Sequence, residues 1–86
     1  MKIHGAVVRE QGVTFAVLVV KPHIVASSQL SEEFTEFSTA YFPNMPIVLM
    51  AQNSKGIPTY SGRRDIVKFL TNIHPNQIPW REYTIS

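Results

Sequence analysis

The segment Thr59-Tyr60-Ser61-Gly62-Arg63-Arg64-Asp65 holds the densest set of groups able to meet a ligand. A short strand runs into a Ser-Gly pair, and a helix then begins on two arginines. The first turn of a helix presents unpaired N–H groups and a partial positive charge. Cations there oppose the helix dipole by ~0.3–1 kcal/mol each. They suit an anion that meets both the guanidinium groups and the free amides. Tyr60 would stack beside such an anion, and Lys55 would approach from the preceding turn. The expected anion-binding set is therefore Lys55, Tyr60, Ser61, Gly62, Arg63 and Arg64, with phosphate or carboxylate as the ligand. No phosphate-loop glycine pattern accompanies it. The competing account is structural: the two arginines are solvated, or they pair with Asp65 or Glu82.

The other reactive residue types are sparse. His4, His23 and His74 have no metal-motif spacing, and no metal or cofactor is expected. His74, at the end of a helix, is expected to meet terminal carbonyls. Glu32, Glu33 and Glu36 fall on one helix and read as a solvated face, and Asp65 reads as a first-turn residue of the next helix. No pair of carboxylates is placed by sequence for acid–base work. None of the serines sits in a nucleophile elbow. Cysteine is absent, which removes disulfides, thiol nucleophiles and thiolate metal sites together.

These groups hang on a readable set of elements. Residues 2–9 and 13–21 read as two strands joined by the turn Glu10-Gln11-Gly12, and hence as an antiparallel hairpin. The second strand is apolar on both faces, the mark of a central strand. Leu30, Phe34, Phe37 and Tyr41 recur at helical spacing within residues 29–42 and are expected to form the buried stripe, with Glu33, Glu36 and Ser38 facing away. Pro46 opens a third strand that is again apolar on both faces. Ile57 to Tyr60 form a fourth, which Pro58 assigns to an edge or a bulge. A second helix is expected at 62–73, with Ile66, Val67, Phe69, Leu70 and Ile73 buried. Residues 75–86 form a C-terminal arm carrying Trp80 and Tyr83, either as a fifth strand or as a docked extended segment.

The run from Met45-Pro46 through Ile47 to Met50, Gly56, Ile57 to Tyr60 and Gly62 to Leu70 resembles the closing ββα unit of thioredoxin-like folds. There a proline opens an apolar strand, a hairpin follows and a helix packs back. The CxxC of that family is missing, and a hairpin stands where it has a helical crossover. The resemblance covers one supersecondary unit and carries no function over.

The fold class is α+β: ββαββα plus the C-terminal arm, a mixed sheet of four or five strands with two helices on one face. A right-handed crossover at each unit would put both helices on that face. The opposite apolar face would then be covered by the C-terminal arm or by a second copy of the chain, and a homodimer is the expected outcome.

At 86 residues, 44% hydrophobic and 16% charged, the chain is sized for one compact domain, residues 1–86. No apolar run reaches a membrane span and the N-terminus does not read as a signal peptide, so a soluble, cytoplasmic protein is expected. Lys2, Arg9 and Lys21 against Glu10, Glu32, Glu33 and Glu36 leave the first 43 residues at net −1. Lys55, Arg63, Arg64, Lys68 and Arg81 against Asp65 and Glu82 leave the remainder at +3. The total of +2 is too small to favour nucleic acid. The leading functional expectation is a small non-enzymatic dimeric interaction module with a protein partner. The alternatives are a nucleic-acid or phosphate-ligand binder using the Tyr60/Arg63/Arg64 corner, and a small enzyme with a pocket at the dimer seam.

Overall fold

The computed structural model describes residues 1–85. Two strands, β1 (Lys2–Glu10) and β2 (Val13–Val19), form the expected antiparallel hairpin. Its turn places Gln11 at φ 50° and Gly12 at φ 79°. Glycine takes such a conformation without steric cost. A one-turn helix, α1 (Pro22–Val25), and a longer helix, α2 (Ser28–Thr39), lead to β3 (Ile47–Gln52). A hairpin then gives β4 (Pro58–Ser61), followed by α3 (Arg64–Thr71), a 3-10 turn at Pro75–Gln77 and β5 (Arg81–Thr84).

The strands form one mixed sheet in the order β4-β3-β2-β1-β5. Only β2 and β3 run parallel, Ala16 beside Ile47 and Val19 beside Met50. The four-residue strands β4 and β5 are the edges, and Pro58 sits on one of them. The C-terminal arm thus becomes a fifth strand, paired with β1 from Lys2–Thr84 to Gly5–Arg81. The proline-led strand, hairpin and returning helix of residues 45–70 are all present.

The two helices lie on opposite faces of the sheet, which corrects the expectation of one shared face. Phe15, Val17, Val48 and Met50 pack with Ile66 and Leu70 of α3 and with Ile78, and Trp80 closes over them. Ala16, Leu18, Ile47 and Leu49 point the other way, toward Ile24, Phe34, Phe42 and Tyr83. The handedness rule governs connections between parallel strands, so it places α2 between β2 and β3. It does not govern α3, which links antiparallel strands at the two edges. With α2 on one apolar face, α3 buries its own stripe on the other. Both faces are covered within one chain, and the bare face that motivated a homodimer does not exist.

The helix α2 is rotated from its expected setting. Ser31 and Ser38, two turns apart, are its buried residues. Phe37 and Tyr41 are exposed, Phe34 and Leu30 only half-buried. Small side chains allow the helix to lie close to the sheet, and the core position that an aromatic was expected to fill is taken by Phe42, just past the helix end. The residues between β2 and α2 also differ from a plain connection: Pro22 starts α1, as suits its fixed φ. Ser31 Oγ then donates to the Ile24 carbonyl at 2.7 Å and ties α1 to α2.

Candidate functional site

Arg63 is the N-cap residue of α3, in extended conformation, and makes no side-chain cap. Its guanidinium turns instead to Asp65: Nε donates to Oδ1 and Nη2 to Oδ2, both at 2.7 Å. This fork-to-fork geometry is the strongest arrangement available to the pair. The hydrogen bonds from Arg63 hold the Asp65 carboxyl down at about 2, and the same contacts raise the Arg63 value. Both side chains are exposed, so the pair adds little to stability. It occupies two of the five guanidinium donors and neutralises the charge that an incoming anion would meet. Arg64, in the first turn, has no ion-pair or hydrogen-bond partner among the described residues.

The rest of the expected set is spread out. Lys55 lies in the β3–β4 turn, which Asn53 organises by accepting from the Lys55 and Ile57 amides at 2.8 and 3.0 Å. The strand β4, roughly 13 Å long, separates that turn from Arg63. Tyr60 turns toward the core beneath α3, and its hydroxyl is buried without a hydrogen-bond partner. Burial pushes that phenol up. Ser61 and Gly62 open onto the α2 side of the sheet, into a shallow cleft of about 320 Å³ shared with Glu32 and Glu36. Gly62 is held against β3: a Cβ there would meet Val48 Cγ2 at 2.9 Å and the Ile47 carbonyl at 3.2 Å. Of the six residues, the structure brings Ser61, Gly62, Arg63 and Arg64 together by chain continuity. It separates Lys55, turns Tyr60 inward, and sets two glutamates beside Ser61 and Gly62.

The histidines have ordinary placements. His4 and Lys2 face Glu82 across the β1–β5 ladder at 3.8 and 3.5 Å. His23 is exposed on α1. His74 does not cap the preceding helix. It starts the next turn, its Nδ1 accepting from the Asn76 amide at 3.1 Å while Gln77 Oε1 accepts from the His74 amide at 3.2 Å.

Two surface features stand out beyond the expected residues. The first is the outer side of α2. Phe34 and Phe37 meet edge-on at 6.1 Å, and Phe37 and Tyr41 meet tilted at 5.6 Å. Phe37 is 46% exposed and Tyr41 38%. Glu33 and Glu36 flank this ladder, and the helix carries no lysine or arginine. The aromatic spacing was visible in the sequence. The signal for its exposure was the second stripe, Ser31 and Ser38, which competes for the inward position. The second feature is a cavity of about 690 Å³ beside the carboxyl ends of β2 and β3. Residues 19–24 line it, with Phe34 on one side and the start of β1 on the other.

Comparison with protein-family models, with curated proteins and with solved structures gives no match to this chain. No helix among the described residues is long and apolar enough to cross a membrane.

Proposed function

We propose that this protein is a small non-enzymatic interaction module whose docking face is the outer side of α2. The observation that carries the reading is the aromatic row along α2 and just past its end, with Phe37 and Tyr41 exposed beside half-buried Phe34, on a helix that buries serines instead. Isolated apolar side chains on a surface are ordinary. Three touching aromatics in one row are a residue type enriched at protein interfaces. Helix-in-groove recognition uses such i, i+3, i+7 anchors.

Charge selects the partner. Glu32, Glu33 and Glu36 carry the helix surface with no cation to balance them. A symmetric α2-on-α2 homodimer would set glutamates against glutamates. A partner segment bearing arginine or lysine would meet those carboxylates and lay its cations on the exposed rings. The test is a titration of the isotope-labelled chain with an amphipathic Leu/Arg peptide and with its Glu-for-Arg counterpart, followed by amide shifts. The Arg peptide should move residues 33–41 and the Glu peptide should not, and Phe37→Ser should abolish the response. Shifts elsewhere, or equal response to both peptides, refute the reading. Sedimentation equilibrium covers the other occupant: self-association lost in Phe37→Ser would make a second copy the partner and overturn the basic one.

A further inference from the structure

We infer that the cavity at the carboxyl ends of β2 and β3 is a binding site for a small monocarboxylate with an apolar body. Here β2 and β3 are the parallel pair, and a cavity lies at their carboxyl ends. Its volume of about 690 Å³ falls in the range of small-molecule sites.

The lining has two parts. Ile3, Val19, Val20, Ile24 and Phe34 give an apolar wall, half-buried or buried, and Pro22 extends it. Lys2, Lys21, His23 and Gln52 give the polar rim. Among the described residues no aspartate or glutamate lines the cavity. Lys2 is already engaged, at 3.5 Å from Glu82. The Lys21 side chain has no hydrogen-bond or ion-pair partner among the described residues, and it sits where β2 ends and α1 begins. An apolar wall beside one uncommitted cation recognises an amphipathic anion: the wall takes the hydrocarbon, and the ammonium takes the carboxylate. The Gln52 amide and the His23 ring add donors on the same rim. A purely inorganic anion would leave the wall unused, and an amphipathic cation would face Lys21.

This site adjoins the outer side of α2 and shares Phe34 with it, while residues 19–24 belong to the cavity alone. The experiment is calorimetry and amide-shift titration with decanoate, kept below its aggregation concentration, against acetate, inorganic phosphate and decyltrimethylammonium. Decanoate should saturate, with shifts at residues 19–24 and at Phe34, while the other three give none there. Lys21→Glu, an exposed substitution that leaves the fold intact, should weaken decanoate at least about tenfold. Equal binding of decyltrimethylammonium, equal binding of phosphate, decanoate shifts centred elsewhere, or a Lys21→Glu affinity within twofold of wild type would each overturn the inference.

Discussion

Trp80→Ala probes the anchoring of the C-terminal arm directly. The chain leaves the 3-10 turn at Gln77, buries Ile78 under α3, and lays Trp80 over the same cluster before entering β5. The indole Nε1 donates to the Pro75 carbonyl at 2.9 Å, so the ring is fixed by both packing and a hydrogen bond. Full truncation of a core Phe or Trp costs ~3–5 kcal/mol. Trp80 is only half-buried, which puts the expected loss at the lower end, about 3 kcal/mol. For a domain of this size each kcal/mol moves the melting temperature by ~4–8 °C. The expected drop is therefore on the order of 12–24 °C. Trp80→Phe separates the two contributions: it keeps most of the ring and loses the hydrogen bond, at about 1 kcal/mol. Thermal unfolding followed by circular dichroism gives both values. Since Trp80 is the sole tryptophan, its emission in the wild type reports the same melting from the ring itself. A Trp80→Ala melting point within about 4 °C of wild type would refute the anchoring argument and leave Ile78 alone holding the arm.

Three further outcomes are expected. Ser38→Ala should raise stability by about 1–2 kcal/mol, read as a denaturant midpoint, because the buried Ser38 hydroxyl has no partner and alanine is the better helix former. Gly5→Ala should lower it by ~1–3 kcal/mol or more, since a Cβ would stand 2.7 Å from Leu18 Cδ2 and 2.9 Å from the Val17 carbonyl oxygen. Arg63→Gln should remove a pH dependence. Asp65 titrates at about 2 in the folded protein, below its ordinary value of 3.8, so its pairing stabilises the fold above pH ~4 and is lost as pH falls toward 2. The wild type and Arg63→Gln should differ slightly near neutral pH and coincide near pH 2, and a difference that persists there would contradict this assignment.

The sheet was legible because its strands carry their own punctuation. Gly12 marks one turn and Pro58 an edge, and the double-faced strands Val13–Val19 and Ile47–Gln52 announce the centre. Their two apolar faces also held the correct answer for the helices. A sheet apolar on both sides asks for cover on both sides, and α3 supplies it from the same chain. The handedness rule constrains only the β2–β3 connection and leaves the face of α3 to the apolar pattern. The setting of α2 was illegible for a different reason. Periodicity locates two stripes about 100° apart, one aromatic and one of serines. Which one faces inward depends on how closely the helix must approach β3, a distance set by tertiary packing. At the basic corner the sequence offered two accounts, an anion site or a pairing with Asp65 or Glu82, and Arg63 takes the pairing with Asp65. Arg63 and Asp65 are two residues apart, close enough that the fork finds its carboxylate before any ligand arrives.

The ladder between β1 and β5 joins the two ends of the described chain: the Met1 nitrogen donates to the Ile85 carbonyl at 2.8 Å, and the Ile85 amide donates back to the Met1 carbonyl at 2.7 Å. β1 is therefore an interior strand only once the last dozen residues have docked. Until then the outward N–H and C=O groups of Lys2–Gly5, the stretch that β5 covers, form an open edge, the kind of template on which chains pair with one another. Loss or late arrival of residues 75–85 would thus show itself first as aggregation during synthesis, before any loss of secondary structure. The Lys2 side chain, which faces Glu82 in the finished sheet, would serve in that interval as the charged guard of an unprotected strand.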